Sequence, residues 1–110
     1  MTLQKRKPFR SRKLLDAARG EQCTMLLVGV CTADAATVIA AHSGRAIHGS
    51  GMGQKADDIF IAFACRACHD AYDGRTLHRE WDRACLEDMW ARAHARTIRR
   101  LLDMGVLKVG

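Results

Sequence analysis

Between positions 77 and 102 apolar side chains recur at helical spacing. Leu77, Trp81, Cys85 and Met89 follow one another every fourth residue, Ile98, Leu101 and Leu102 extend the series, and arginines and carboxylates fill the positions between. A stripe of that period predicts an amphipathic helix whose apolar face belongs to the core. Gly105 stands where such a helix terminates, leaving Val106 to Val109 as a short tail or edge strand. Upstream the period changes. Cys23-Thr24-Met25-Leu26-Leu27-Val28-Gly29-Val30-Cys31 is a short apolar run closed by glycine and cysteine, which predicts a buried strand or hairpin. Thr37 to Ala41 reads as a second strand leading into His42, and Ile59 to Ala64, wholly apolar, as a third that delivers the chain into Cys65. Between them Ser43 to Gly53, with glycines at 44, 49, 51 and 53, has the composition of a loop. Two strands flanking that loop make a hairpin, with His42 ending one arm and a cysteine pair just beyond the other. The Gly51-Met52-Gly53-Gln54-Lys55 piece is not a phosphate loop, because it lacks the glycine spacing, preceding strand and following helix that such a loop needs.

The N-terminal stretch, residues 1–20, is a basic arm carrying Lys5, Arg6, Lys7, Arg10, Arg12, Lys13 and Arg19. Pro8 interrupts any helix before Ser11, which is placed to cap a short helix over Arg12 to Arg19 ended by Gly20. Two readings of the arm stay open, a phosphate-binding segment and a solvated terminus. Residues 21–110 are expected to form a single zinc-binding domain. The chain's 110 residues and 48% apolar content suit a modest core, for which a metal staple is an advantage. A formal charge of +6 favours a polyanionic partner, since lysines and arginines placed on phosphates release condensed counterions. Nucleic acid, DNA first, is the expected partner. No apolar run is long enough for a membrane span and the basic N-terminus precedes no hydrophobic signal core, so a cytoplasmic location is expected.

In a reducing compartment five cysteines are poor material for a disulfide framework, and four of them fall in two groups. Cys65-Arg66-Ala67-Cys68 has the standard spacing of a zinc pair, and Cys23 and Cys31 supply two more thiols if the run between them folds back. Cys85, inside the helical stripe, is expected to be an ordinary buried thiol. If Cys65 opens a helix, Cys65 and Cys68 share one side, while His69 and Asp73, four apart, are neighbours on another. Those two mixed nitrogen and oxygen groups suit a divalent ion such as Mg²⁺, with positions left for phosphate and water. Phosphodiester hydrolysis needs water deprotonated and charge on the departing oxygen neutralised. His42 is the candidate base.

Cys23-x7-Cys31, Ala41-His42, Gly51-Met52-Gly53, Asp57-Asp58 and Ala64-Cys65-Arg66-Ala67-Cys68-His69-Asp70 with Asp73 together resemble the YbcO-like prophage proteins, which are considered to be nucleases. The likeness runs from about Leu14 to Val106 and extends, more loosely, to the HNH or His-Me finger superfamily. It implies an α+β fold, a small zinc-stapled treble-clef or ββα-metal domain with C-terminal helices behind the basic arm. It also implies His42 as general base, His69 as a ligand of the catalytic ion, and the four cysteines as a structural zinc site. Asp58, or its neighbour Asp57, would replace the middle asparagine that braces the hairpin of HNH enzymes. Many of those enzymes carry a further metal ligand just before the base, where this chain has Ala41. A substitute would come from Asp73, Asp70 or His48. Two other classes of function compete with a DNA endonuclease: a non-catalytic zinc module that binds nucleic acid, and a phage interaction or adaptor protein using the helical section.

Overall fold

The computed structural model describes residues 7–109. Lys5 and Arg6 of the basic arm lie outside the described residues. The elements are α1 (Arg12–Asp16), β1 (Ile39–His42), β2 (Ile61–Ala64), α2 (Arg66–Tyr72) and α3 (Arg83–Asp103), with short 3-10 turns at Ala35–Thr37 and Ala46–His48. The result is a small α+β fold.

Pro8 and Ser11 start α1 as the sequence indicates, the Ser11 hydroxyl accepting from the Leu14 N–H. The regular helix ends at Asp16 rather than Arg19, and turns carry the chain on to Gly20. Leu14 and Ala18 are buried in the core, so this segment is anchored by its apolar side while its arginines face outward.

β1 and β2 pair antiparallel, Ile39 opposite Ala64 and His42 opposite Ile61. Thr37 belongs to the preceding turn, which Asp34 caps, so the first arm is shorter than expected. The connecting loop tightens at Gly51 and Gln54, whose backbones bond each other in both directions across Met52 and Gly53, both in the left-handed region.

The segment from Cys23 to Cys31 is not a strand. Only Thr24 runs beside β2, its N–H reaching the Phe63 carbonyl. Leu26 and Gly29 then take positive φ angles of 51° and 78°, and the N–H groups of Val30 and Cys31 both return to the Leu27 carbonyl. Continuous extension would carry Cys31 about 25 Å from Cys23 at roughly 3.3 Å per residue. The reversal brings both sulfurs to Cys65 and Cys68 instead.

α3 packs against β2. It begins at Asp82, whose carboxylate accepts from the Cys85 N–H, and not at Leu77. The buried stripe is therefore Leu86, Trp90, Ala93, Thr97 and Leu101, sharing Leu101 with the expected series and otherwise lying one position from Cys85, Met89 and Ile98. Leu77 is 88% exposed and Cys85 is exposed too, which corrects the expectation of a buried thiol there. Trp81 stays near the core by donating its indole N–H to the Val28 carbonyl. The helix ends as expected at Gly105, where N–H groups of Gly105 and Val106 return to Leu102 and Leu101. Val106 and Leu107 pack on the core as a tail, without joining a strand.

Thr97 shows how the outer edge of β2 is closed. Its hydroxyl accepts the Phe63 N–H at 3.0 Å and lies 3.1 Å from the Thr24 hydroxyl, which donates to the Phe63 carbonyl at 2.7 Å. A fully buried polar side chain is stable there because its hydroxyl both donates and accepts a hydrogen bond.

Candidate functional site

Cys65 follows β2 at the N-cap position of α2, and Cys68 lies one turn on in that helix. Cys23 and Cys31 come from the two ends of the folded-back loop. The four sulfurs lie within 4.8 Å of one another, and those of Cys31 and Cys65 are 3.8 Å apart. A tetrahedral zinc with bonds near 2.3 Å separates its thiolates by about 3.8 Å, so both spacing and donor softness fit zinc. The cluster also favours deprotonation in part. The contact with Cys68, aided by backbone hydrogen bonds at Leu26, Cys65 and Met25, brings the Cys23 thiol down to about 4. At Cys65 burial works the other way, but backbone hydrogen bonds with Cys68 and Thr32 leave it lowered. Cys68 and Cys31 are raised, the first chiefly by its contact with Cys23 and the second by burial. Four neutral thiols would bury little charge, whereas four thiolates this close require a cation.

His42 is the last residue of β1 and shares a strand face with Ala40. Its Nε2 is 2.8 Å from Asp58 Oδ1, and Asp58 is only 2% exposed. The same carboxylate receives the Ser11 N–H on Oδ2 at 2.7 Å and the Arg10 guanidinium on Oδ1 at 3.3 Å. Burial raises the Asp58 carboxyl, but His42, Ser11 and Arg10 outweigh it and leave it below its ordinary value. An ionised carboxylate only accepts, so in the neutral imidazole Nε2 of His42 carries the proton and Nδ1 the free lone pair. Asp57, equally buried, sits in the turn before β2, its N–H bonded to the His48 carbonyl. Asp58, not Asp57, is the residue paired with His42.

His69 and Asp73 do meet on the α2 surface, Nε2 to Oδ2 at 3.0 Å. Arg75 stands 3.9 Å from the same Asp73 oxygen and 3.6 Å from Asp70. Burial raises Asp73, yet His69, Arg75 and Arg83 together bring it below its ordinary value. His69 lines a cleft with Thr37, Ile39, Arg66 and Asp70, whereas His42 lines one with Arg12, Asp16, Arg19 and Ile39. Ile39 borders both. Among the described residues the cysteines form the one group of three or more convergent His, Cys, Asp or Glu side chains.

Sequence reasoning missed a polar cluster just after His42. The Tyr72 hydroxyl accepts the Gly44 N–H at 2.8 Å, and Ser43 Oγ lies 2.6 Å from His48 Nδ1. His48 stacks on Phe60, and Trp90 on His94, whose Nδ1 donates to the Ile61 carbonyl. Burial, then His94 and Arg45, lower His48, which keeps its imidazole neutral near pH 7. This cluster ties the loop joining β1 and β2 to α2 and α3. It places His48 among aromatic rings rather than beside His69 or Asp73. No signal short of knowing the Ser43 to Gly53 path would have found it.

The class these features define is a small α+β domain with four clustered cysteines that could hold a metal ion and a histidine–carboxylate pair at the hairpin. The family model described as "Putative nuclease YbcO" matches residues 12–106, and the chain belongs to that family. It is 41% identical over 63 residues to "Putative nuclease YbcO" of Escherichia coli K12 and, to the same extent, to "Putative nuclease ybcO" of Enterobacteria phage 82. Each match spans 57% of this chain and 65% of the relative. A solved structure titled "Structure of a putative bacteriophage protein from Escherichia coli str. K-12 substr. MG1655" shares 32% identity with a TM-score of 0.65, covering 83% of this chain and 98% of its own. Among the described residues no helix is long and apolar enough to cross a membrane.

Proposed function

We propose that the protein is a metal-dependent endonuclease acting on DNA, built as a treble-clef domain of the HNH or His-Me finger type. The observation that carries this reading is the His42–Asp58 bond at the end of β1, in a chain whose relatives bear the name "Putative nuclease YbcO". Asp58 holds the Nε2 proton, so Nδ1 of His42 takes a proton from water as the water attacks phosphorus. The buried carboxylate also stabilises the imidazolium formed in that step. Zinc held by Cys23, Cys31, Cys65 and Cys68 is structural, because four protein thiolates leave no position for substrate. His69 and Asp73 would hold a second divalent ion, Mg²⁺ or a relative, which would supply positive charge for the departing oxygen. The basic surface supplies the attraction to a polyanion. Nicking of supercoiled plasmid by the zinc-loaded protein, with Mg²⁺, Mn²⁺ or Ni²⁺ added, tests the reading. Cleavage by the wild type and its loss in folded His42→Ala is the expected result.

A second reading, a zinc module that binds nucleic acid without cutting it, draws support from the separate clefts of His42 and His69. It predicts equal DNA affinity and no nicking in both proteins with every ion.

A further inference from the structure

The first basic residues of the described chain do something other than decorate the surface. Arg10 NH1 donates to the Ala56 carbonyl at 2.6 Å and its NH2 to the Lys55 carbonyl at 2.9 Å, while NH1 also reaches Asp58 Oδ1 at 3.3 Å. On either side of it the backbone repeats the contact. The Asp58 N–H donates to the Phe9 carbonyl at 3.0 Å, and the Ser11 N–H donates to Asp58 Oδ2 at 2.7 Å. Residues 9–11 therefore wrap residues 55–58, more than forty positions away in sequence, through backbone and side chain together. The Arg10 side chain is about one-third exposed, and three of its five N–H donors are committed to two carbonyls and a carboxylate.

We propose that Arg10 is a positioning residue for His42, acting through Asp58, and not a phosphate contact. This rests on the reading of His42 as general base. A carboxylate with one oxygen shared by His42 and Arg10 and the other fixed by Ser11 has a single rotamer, and that rotamer presents Oδ1 to Nε2. Lysine cannot reproduce the arrangement, because one ammonium cannot span two carbonyls and a carboxylate with planar, forked donors. Without the fork Oδ1 of Asp58 is held by His42 alone and Oδ2 by the Ser11 N–H, and the imidazole samples both tautomers. The tautomer with the proton on Nδ1 cannot take a proton there from water.

The test compares wild type, Arg10→Ala and Arg10→Lys as zinc-loaded full chains, each checked for zinc content and melting temperature. The His42 ring tautomer is read by ¹⁵N NMR, and kcat and KM by plasmid nicking. Arg10→Ala is expected to show a mixed tautomer and a fall in kcat of up to about 10²-fold with little change in KM, the size of effect that misplacing a catalytic group produces. Arg10→Lys should recover only part of both. If Arg10→Ala loses zinc and fails to fold, Arg10→Lys alone carries the comparison. An unchanged Nε2–H tautomer in the folded variants, or a rise in KM with kcat intact, would overturn the proposal and make Arg10 a brace or a DNA contact. A mixed tautomer in Arg10→Ala together with full cleavage by His42→Ala would uphold the positioning contact while removing His42 as the base.

Discussion

The cysteine cluster and the His42 corner are both buried, yet they are held together differently. The four thiols converge with few partners beyond one another and nearby backbone N–H groups. Once ionised they need a cation. At the His42 corner the charge is already balanced by protein, since Asp58 faces His42, Arg10 and the Ser11 N–H. With zinc in the cysteine cluster, as proposed, the first region would depend on metal for its stability, whereas the second depends on long-range contacts for its geometry. Mutations should separate them.

The largest effect is expected at the cysteines. Cys65→Ser or Cys68→Ser should release zinc and unfold much of the molecule, because metal affinities worth about 10–16 kcal/mol are coupled to folding in small zinc domains. Metal analysis with a thermal melt checks this, and an unchanged melting temperature would break the distinction between the regions. Next comes His42→Ala, which should stay folded and metal-bound while cleavage falls by about 10²- to 10⁴-fold.

Asp58→Asn sharpens the comparison from the other side. It should cost about 1–3 kcal/mol by leaving Arg10 and the Ser11 N–H with a poorer acceptor. It should also alter the acid limb of stability. The folded Asp58 carboxyl lies below its ordinary value, so its contribution is complete above the unfolded value of about 3.9 and disappears as pH falls through the lower folded value. Urea melts at several pH values should show that loss in the wild type and a flatter profile in Asp58→Asn. Thr97→Val, outside both regions, leaves the buried Phe63 N–H without its acceptor and should cost about 1–3 kcal/mol with zinc content unchanged. The smallest effect is expected of Leu77→Ser, within about 0.5 kcal/mol, because that leucine stands in solvent.

How much of this was legible in the sequence follows the range of the interactions. The hairpin arms, the cap at Ser11, the helix stop at Gly105 and the Cys65-x-x-Cys68 pair are local, and each appears close to where its residues put it. Cys23 to Cys31, read as a buried strand or hairpin, folds back as its two thiols require but without strand pairing, because apolar content does not reveal that Leu26 adopts a positive φ. The helical stripe was displaced by one position because Leu77 and Trp81 carry its period past the true start at Asp82. His69 with Asp73 follows from helical spacing, whereas Asp58 against His42 needed a resemblance to single it out. Arg10 against Asp58 could not be read at all. It spans 48 positions, and a charge run at a chain end looks the same whether it is solvated or clamped.

The most direct test of a metal-dependent scaffold carrying a metal-independent base is a single preparation of His42→Ala, measured for zinc per chain and for its rate of plasmid nicking with Mg²⁺. Wild-type zinc content with cleavage lost is the predicted result. Wild-type zinc content with wild-type cleavage would contradict it, and would place the base elsewhere in the fold.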